Sequence, residues 1–507
     1  MRRSLAPCLL VLPALLTAQS SGSVQRAVNS ITPEDIRRRI AVLADDSMRG
    51  RDTPSPELEK VAAWIAAEFR RFGLKPGGDS GTFLQRYGIV RKAVDTAASE
   101  LRIIAATTVP LKPGVAVNVL RLGPLPVREV SGPVVLIAGA ATEGADRLVG
   151  VDVRGAWIVQ VRTATTQGVR LDDTTAQAAL RAGAIGILVV SNRPEEQWQN
   201  RMSRVAQPSI ALESRVVPDT ATIPAFVEIR DADAGALGID PAAARAQTTR
   251  TARQLDGVTL TWRARERIVS RVTAPNVIGI LEGSDPRLKR EYIVYSAHMD
   301  HVGVGTPVAG DSIYNGADDD ASGTSAVVEA AEAFAQLTPR PKRSLVFMTV
   351  SGEEKGLWGS AYFADHPTVP AADIVANLNI DMVGRNWKDT VVVIGKEHSD
   401  LGATLNRVGA AHPELRMRPI DDIWPQEDFY FRSDHYNFAR KGVPILFFFS
   451  GTHPDYHRPG DTVDKIDAEK ESRIVKLVFY LGLDIANATA RPKWNPESYK
   501  RIVEGAN

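Results

Sequence analysis

The segment from Tyr314 to Phe334, YNGADDDASGTSAVVEAAEAF, joins an acidic turn to a run with the composition of a buried helix. Asp318, Asp319 and Asp320 stand between two glycines, directly before that run. Acidic residues near a helix N-terminus interact favourably with the helix dipole, but one or two of them are enough for that interaction. At least one acid is left to explain, so the segment predicts a bound cation at the start of a helix.

Short apolar runs alternate with helical stretches on both sides of this segment. The runs that predict strands are EYIVYSA (291–297), RSLVFMTVSG (343–352), VANLNIDMVG (375–384), DTVVVIG (389–395) and VPILFFFSG (443–451). Helices are predicted at residues 322–337 and 399–412. Alternation of this kind predicts an α/β three-layer sandwich with a largely parallel mixed central sheet.

Two further helices are predicted between residues 32 and 73. Thr32 and Ser55 are N-cap residues, each followed by proline at the first helical position, and Gly73 ends the second helix. From about residue 95 to residue 272 the pattern changes to short β-branched runs with one helix, DDTTAQAALRAGA, among them. This middle region predicts an inserted small β-rich α/β domain.

The composition and the N-terminus predict an exported protein with more than one domain. The chain has 507 residues and a formal charge of +1, which predicts neither nucleic acid nor an anionic membrane as a partner. Residues 1–18 have an apolar core too short to span a membrane, which predicts a signal peptide and a secreted or periplasmic protein. The only cysteine, Cys8, leaves with that peptide, so His, Asp and Glu must supply any metal ligands.

Residues that can bind metal follow the predicted strands repeatedly. In α/β sheets, ligands bind beyond the carboxyl ends of the strands. Carboxylates gathered there without a cation would repel one another by about 4 kcal/mol for each close pair at an effective dielectric constant of about 20. The residues concerned are His298, Asp300, Asp319, Glu353, Glu354, Asp381, His453 and His457. Together they predict a metal centre, although each residue alone has a simpler explanation as a cap or a turn.

Two metal ions fit this set better than one. Five side chains offer ligand atoms, and their oxygens suffice for one carboxylate to bridge two ions. These ligands are His298, Asp319, Glu354, Asp381 and His457. Imidazole and carboxylate ligands without thiolate favour two Zn²⁺ ions, with Mn²⁺ or Co²⁺ as alternatives. Glu353 remains free of metal, as a general base must.

Six motifs resemble, in order and spacing, those of the M28 family of zinc peptidases, the bacterial leucyl aminopeptidase and glutamate carboxypeptidase group. They are AHMDHVG, NGADDDASG, SGEEKGLWGS, NIDMVG, SDHYNF and YHRPGDT. The resemblance covers the helices near residues 32–93 and most of residues 273–490, and it implies the zinc exopeptidase fold. It implies that His298 and Asp381 hold one zinc ion. Glu354 and His457 would hold the other ion, with Asp319 as the bridge.

The same resemblance implies three catalytic roles. Glu353 would take a proton from a metal-activated water and pass it to the leaving amine. Asp300 would orient the imidazole of His298, and Tyr456 would polarise the scissile carbonyl. The resemblance also implies a discontinuous peptidase domain of residues 24–95 and 273–490, followed by a C-terminal tail of residues 491–507.

The inserted region, residues 96–272, is similar to the protease-associated domain that often interrupts peptidases of this family. The similarity lies in short apolar strands and in the Ala-rich helix before GAIGILVV, within residues 151–192. It implies a domain that restricts access to the cleft, with a plain structural spacer as the alternative.

The function implied is that of a secreted di-zinc exopeptidase, an aminopeptidase that releases neutral or apolar N-terminal residues from peptides. The oligomeric state is left open. Surplus carboxylates, including Glu427 and Asp428, would hold the substrate ammonium, and the aromatic run of residues 429–431 would form an apolar wall. Arg385 and Arg432 keep a carboxypeptidase of the glutamate carboxypeptidase type open, because arginine binds carboxylates. A glutaminyl cyclase and an inactive binding scaffold are the remaining alternatives.

Overall fold

The structure is a computed structural model that describes residues 22–120, 129–139, 148, 150–161, 174–216 and 224–505. The predicted signal peptide of residues 1–18, with Cys8, lies outside the described residues. Among the helices that the structure describes, none has the length and apolar character needed to cross a membrane.

The described chain alternates helices and strands along most of its length. The helices are α1 (22–29), α2 (Pro33–Leu43), α3 (Pro56–Arg71), α4 (Thr174–Arg181), α5 (Glu195–Val205), α6 (Pro241–Ala246), α7 (Gly323–Ala335), α8 (Trp358–Asp365), α9 (Leu401–Ala411), α10 (His435–Ala439), α11 (Ala468–Asn487) and α12 (Pro496–Tyr499).

The strands before the second half of the chain are β1 (Lys75–Pro76), β2 (Leu84–Val94), β3 (Glu100–Ile104), β4 (Thr108–Leu111), β5 (Asn118–Val119), β6 (Val130–Ala138), β7 (Trp157–Val161), β8 (Gly186–Ser191), β9 (Ser209–Leu212), β10 (Ala225–Arg230) and β11 (Thr251–Arg263). The later strands are β12 (Glu266–Leu281), β13 (Tyr292–His298), β14 (Val304–Val308), β15 (Asp311–Ile313), β16 (Ser344–Val350), β17 (Ile374–Ile380), β18 (Thr390–Ile394), β19 (Arg418–Ile420) and β20 (Ile445–Phe449).

The chain divides into two compact units, each with its own sheet. Unit 1 comprises the described residues up to Tyr87 and from Thr273 onward, and unit 2 comprises the described residues from Gly88 to Val272. In unit 1 the strand order is β19-β18-β20-β17-β13-β16-β12-β2. The central neighbours β20, β17, β13 and β16 are parallel, whereas β18 and β12 run antiparallel to β20 and β16. The predicted α/β fold with a mixed, centrally parallel sheet is confirmed.

Helices pack against the sheet of unit 1 because their apolar faces are buried there. α7 contacts β13, β16 and β17, and α11 packs on α7 and α2, whereas α10 contacts α8, β17 and β20. Between α7 and α11 the rings of Phe334 and Phe479 lie 4.4 Å apart. Apart from Tyr292 at the start of β13, the residues of the parallel strands are all buried, as expected of strands covered by helices.

The two N-terminal helices of the sequence analysis are confirmed together with their caps. The Thr32 side chain accepts a hydrogen bond from the Asp35 N–H at the start of α2, and Ser55 accepts one from the Leu58 N–H at the start of α3. Gly73, with φ of +78°, follows the end of α3. Residues 491–505, assigned to a C-terminal tail, form α12 and a final turn in which Ile502 and Val503 are buried.

Unit 2 contains a sheet of order β4-β3-β11-β6-β7-β8-β10-β5, in which β6, β7, β8 and β10 are parallel neighbours. The prediction of one helix in this region is wrong, because α5 and α6 accompany α4. The sequence carried a signal for α5, since Trp198, Met202 and Val205 have helical spacing and are buried. The resemblance to a protease-associated domain stays a prediction.

Candidate metal centre

The parallel strands of unit 1 bring the predicted metal ligands to one edge of the sheet. His298 is the last residue of β13, and Asp381 directly follows β17. Glu354 lies just after β16, and His457 lies in the loop after β20. Asp319 comes from the turn before α7. Because β13, β16, β17 and β20 are parallel neighbours, their carboxyl ends meet at this edge.

The ligand atoms form two adjoining groups that share Asp319. The first group consists of His298, Asp319 and Asp381, and the second group consists of His301, Asp319, Glu354 and His457. In the first group His298 Nε2 lies 3.2 Å from Asp319 Oδ1 and 3.6 Å from Asp381 Oδ1. In the second group His457 Nε2 lies 3.1 Å from Asp319 Oδ2 and 3.1 Å from Glu354 Oε2. One oxygen of Asp319 therefore faces each group, as a bridging carboxylate requires.

These residues fit a pair of zinc ions by their chemistry and their burial. Asp319 Oδ2, Glu354 Oε1 and both ring nitrogens of His301 are buried and have no hydrogen-bond partner among the described residues. Such groups cost free energy unless they meet a donor or a cation. Imidazole nitrogen and carboxylate oxygen are ligands that zinc takes readily. The buried atoms without hydrogen-bond partners and the types of ligand both indicate zinc ions at this site.

The pKa values in the second group show how strongly its charges interact. Burial and the charge of Asp319 would raise the pKa of Glu354, but His301 and His457 lower it to about 2. Burial would lower the pKa of His457, but its contacts with Asp319 and Glu354 raise it to about 10. The carboxylates therefore remain ionised, and positive charge placed between them is stabilised.

The two other acids of the DDD turn bind backbone N–H groups. Asp320 Oδ1 accepts hydrogen bonds from the N–H groups of Gly323 (2.8 Å) and Met382 (3.1 Å), and its Oδ2 accepts one from His298 (3.1 Å). Asp318 Oδ1 accepts a hydrogen bond from the Gly384 N–H at 2.6 Å. These two acids hold the first turn of α7 against the strand ends, which leaves Asp319 to face both groups.

The carboxylate of Asp300, which was predicted to orient His298, forms its hydrogen bonds with other residues. Its Oδ2 accepts a hydrogen bond from the Thr53 hydroxyl at 2.9 Å, and its Oδ1 accepts one from the Glu353 N–H at 3.3 Å. The Nδ1 atom of His298 lies 3.1 Å from the main-chain oxygen of Asp300 and 3.8 Å from its carboxylate. The backbone of Asp300 is therefore the nearer partner of His298, and an orienting role for its carboxylate stays a prediction.

Arg51, which the sequence analysis did not single out, joins the loops that carry the ligands. Its fully buried guanidinium donates hydrogen bonds to five main-chain oxygens. These belong to Met299 (2.9 Å), Leu43 (3.4 Å), Asn315, Gly316 (2.7 Å) and Asp319 (3.2 Å). One side chain thereby holds together the end of α2 at Leu43, the loop at Met299 and the turn of residues 315–319.

A cavity adjoins the first group and has a polar side and an apolar side. The polar side includes His298, Asp319, Glu353 and Asp381. The apolar side includes Met382, Phe429, Phe447 and Phe449. Tyr456 also lines the cavity and stacks on His457 with ring centroids 3.9 Å apart. Burial and the nearby Asp319 raise the pKa of the Tyr456 hydroxyl, which keeps it protonated as a hydrogen-bond donor.

Several residues proposed from the sequence lie away from this cavity. Glu427 and Asp428 are exposed and are not among its lining residues. Of the aromatic run, Phe429 lines the cavity, whereas Tyr430 is buried and Phe431 is 46% exposed. His453 contacts Asp318 at 3.3 Å and belongs to neither group.

The two arginines that kept a carboxypeptidase open differ in their surroundings. Arg385 is paired with Asp455 at 3.0 Å and with Asp461 at 3.8 Å. Arg432 lines the cavity, lies over the ring of Phe429 and donates a hydrogen bond to the Glu427 main-chain oxygen at 3.2 Å. Arg432 is therefore the one of the two that a ligand in the cavity could meet.

His301 is the ligand-type residue that the sequence analysis missed. Its Nδ1 lies 2.8 Å from Glu354 Oε1 and 3.7 Å from Asp319 Oδ2. A signal was present in the motif AHMDHVG, whose second histidine follows a strand end by three residues. Its proximity to Glu354 depends on the pairing of β13 with β16, which a motif alone does not encode.

The fold and the site define an α/β protein with two adjoining groups of metal ligands at the carboxyl ends of its parallel strands. Residues 276–482 match the model of peptidase family M28. The matched segment contains every member of both groups.

Curated relatives and a solved structure extend this comparison. A probable leucine aminopeptidase of Arthroderma otae is 27% identical over 231 residues, which cover 44% of this chain and 61% of that protein. A probable zinc metalloprotease of Pyrenophora tritici-repentis is 28% identical over 271 residues, which cover 45% of this chain and 54% of that protein. The chain thus matches a little over half of the length of these relatives.

The aminopeptidase from Aneurinibacillus sp. strain AM-1 has a similar structure, with a TM-score of 0.52 and 20% sequence identity. The similarity covers 93% of this chain and 97% of that one, and it establishes the shared fold.

Proposed function

We propose that this protein is an exported metallo-aminopeptidase that holds two zinc ions and releases neutral or apolar residues from the amino terminus of peptides. The observation that carries the proposal is the shared carboxylate of Asp319, which joins two ligand groups beside a cavity with an apolar wall. The relatives named leucine aminopeptidase and zinc metalloprotease support the same activity. Export rests on the signal-peptide pattern of residues 1–18.

The residues around the cavity supply the proton transfer that peptide hydrolysis needs. Two zinc ions, when bound, would activate a water molecule and stabilise negative charge on the scissile carbonyl oxygen. Glu353 lines the cavity but belongs to neither ligand group, so its carboxylate is free to take a proton from that water and to give one to the leaving amine. Tyr456 adds a protonated hydroxyl that can donate a hydrogen bond to the same carbonyl oxygen.

The apolar side of the cavity supports a preference for an apolar first residue. The rings of Phe447 and Phe449 lie 5.2 Å apart, and the ring of Phe429 lies 4.9 Å from that of Phe449. Each of these phenylalanines is at least 91% buried in the protein, so the wall is part of the core rather than a mobile loop tip. A leucine-like side chain against this wall loses apolar surface to water, at roughly 25 cal/mol per Å².

The polar side of the same cavity supports the choice of the amino terminus. An aminopeptidase must bind the substrate ammonium beside the first peptide bond, and Glu353 and Asp381 line the cavity with acceptor oxygens. A pocket for a substrate carboxylate would need several cations instead, but Arg385 is already paired with two aspartates and Arg432 is the one of the two arginines that lines the cavity.

The test uses purified full-length protein loaded with zinc and matched substrates. We expect hydrolysis of leucyl-p-nitroanilide and of Leu-Gly-Gly, with loss of hydrolysis when the α-amino group is acetylated. The same reactions should stop after a chelator removes the metal. Cleavage of an N-acetylated dipeptide that ends in glutamate, without activity on the leucyl substrates, would establish the carboxypeptidase instead.

A further inference from the structure

We infer that His301 is a metal ligand, which gives the second group four protein ligands where the first group has three. The inference rests on the proposed function, because it concerns the same pair of metal ions. Neither the motif analysis nor the bridging role of Asp319 assigns this residue. Its assignment depends on the position of the His301 ring relative to the three other members of the second group.

The distances within the second group are those of atoms that share one ion. Two ligand atoms about 2.0–2.1 Å from a zinc ion in tetrahedral geometry lie about 3.3 Å apart. His301 Nδ1 lies 2.8 Å from Glu354 Oε1 and 3.7 Å from Asp319 Oδ2. His457 Nε2 lies 3.1 Å from oxygens of the same two carboxylates. Both imidazoles therefore lie within 3.7 Å of oxygens from the same two carboxylates.

A simple hydrogen bond from His301 to Glu354 does not account for these contacts. Although Nδ1 and Oε1 are 2.8 Å apart, neither atom has a hydrogen bond of acceptable geometry among the described residues. The contact is therefore close but not directed along an N–H bond, as it is when both atoms point at a common third atom. His457 Nε2 lies at a similar distance, 3.1 Å, from Asp319 Oδ2, which also has no hydrogen-bond partner among the described residues.

The ring of His301 is fixed before any ion binds. The residue has no exposed surface, and its ring packs edge-on against that of His457 with centroids 5.6 Å apart. Gly316 also lies close to the ring, because an added Cβ there would stand 2.5 Å from Cγ of His301. Gly316 also has φ of +58°, which favours glycine, so this position both permits the turn and leaves room for the imidazole.

A histidine buried for packing alone would be expected to satisfy at least one ring nitrogen, as His435 does with Nε2, which lies 2.8 Å from the Tyr430 main-chain oxygen. His301 instead lies between two carboxylates with both nitrogens unsatisfied by protein atoms. A cation beside Nδ1 would satisfy that nitrogen and both facing carboxylate oxygens at once.

The first experiment compares zinc binding by variants of the metal-free full-length protein, measured by calorimetric titration. His301→Leu removes the ligand, and His301→Gln keeps an N–H donor that could still reach Glu354. We expect both variants to lose at least about 10-fold in affinity for one of the two ions, the lower end for changes around metal sites. His412→Leu is the matched control, because His412 Nδ1 pairs with Glu414 at a similar 2.9 Å outside both groups.

Two results of this titration would overturn the assignment. If His301→Gln binds both ions as the wild type does, His301 is a hydrogen-bond donor to Glu354 and not a ligand. If His301→Leu also binds both ions normally, the residue has no role at the metal site. The control variant should bind two ions with unchanged affinity, and far-UV circular dichroism should show that all variants are folded.

A second measurement needs no variant and decides the question if the variants fail to fold. X-ray absorption at the zinc edge of the fully loaded wild-type protein reports the imidazoles bound to the ions. We expect three imidazoles shared by two ions, from His298, His301 and His457. Two imidazoles shared by two ions would contradict the His301 assignment alone, whereas a wild-type protein that binds no zinc would contradict the proposed function itself.

Discussion

Replacement of Arg51 by methionine should lower the stability of the loops that carry the metal ligands, and with it the affinity for zinc, although no ligand residue is changed. The guanidinium of Arg51 donates to five main-chain oxygens, of which the Gly316 oxygen also accepts a hydrogen bond from the Ala321 N–H (3.3 Å). A buried acceptor left without a donor costs about 1–3 kcal/mol, so four such oxygens cost about 4–12 kcal/mol. Methionine avoids the several kcal/mol needed to take a charge out of water. We therefore expect a net loss of more than about 3 kcal/mol in the free energy of unfolding, in the range seen when a buried hydrogen-bond network is broken.

Differential scanning calorimetry with and without zinc measures this effect, because the transition that zinc shifts reports unit 1. Arg343→Met is the matched control, since Arg343 is also fully buried and donates to Glu291 (2.6 Å) and to the Ile485 oxygen (2.8 Å), remote from both ligand groups. We expect both variants to melt earlier, and only Arg51→Met to bind zinc more weakly after correction for stability. The lysine side chain has three hydrogen-bond donors, so the stability and the zinc affinity of Arg51→Lys should lie between those of the wild type and of Arg51→Met.

The stabilising role of Arg51 is refuted if the free energy of unfolding of Arg51→Met lies within about 1 kcal/mol of that of the wild type. It is also refuted if the two arginine variants lose the same amount of zinc affinity, because the effect would then be general destabilisation. In either case the ligand loops would be held by their own hydrogen bonds and not by the guanidinium.

Three further predictions concern the chemistry of the site. Glu353→Gln should bind two zinc ions but lose about 10²–10⁴-fold in turnover, because glutamine cannot accept a proton; near-normal turnover would exclude Glu353 as the base. Asp319→Ala should lower the metal-to-protein ratio after dialysis, whereas Asp318→Asn should not, and equal losses would mean that the bridge is misassigned. Arg432→Gln should leave leucyl-p-nitroanilide hydrolysis within a few-fold of wild type, and a selective loss on substrates with a free carboxy terminus would favour the carboxypeptidase alternative.

The sequence predicts those helices and strands that are determined by residues close together in the chain. The proline after Thr32 and the proline after Ser55 identified the starts of two helices, because an N-cap acts through the next few residues. The apolar runs at β13, β16, β17 and β20 identified the parallel strands, because both of their faces are covered by helices. Residues directly after those strands could then be expected at one edge of the sheet.

The features of the site that the sequence did not predict depend on which distant segments the fold brings together. The contact of His301 with Glu354 requires β13 beside β16, and the contacts of Arg51 require the N-terminal turn beside two distant loops. The aromatic run at residues 429–431 predicted one continuous wall, but its three rings have different surroundings, since Phe429 lines the cavity and Phe431 is exposed. In the inserted region, α5 has a local signal in the helical spacing of Trp198, Met202 and Val205, which the prediction of a single helix overlooks.

The most direct test of the proposed function is to titrate metal-free full-length protein with zinc while following hydrolysis of leucyl-p-nitroanilide. The two ligand groups that share Asp319 predict no hydrolysis before zinc is added and full activity by two zinc ions per chain. Full hydrolysis by the chelator-treated protein, or no hydrolysis after both ions have bound, would contradict the assignment of this site as the centre of a zinc aminopeptidase.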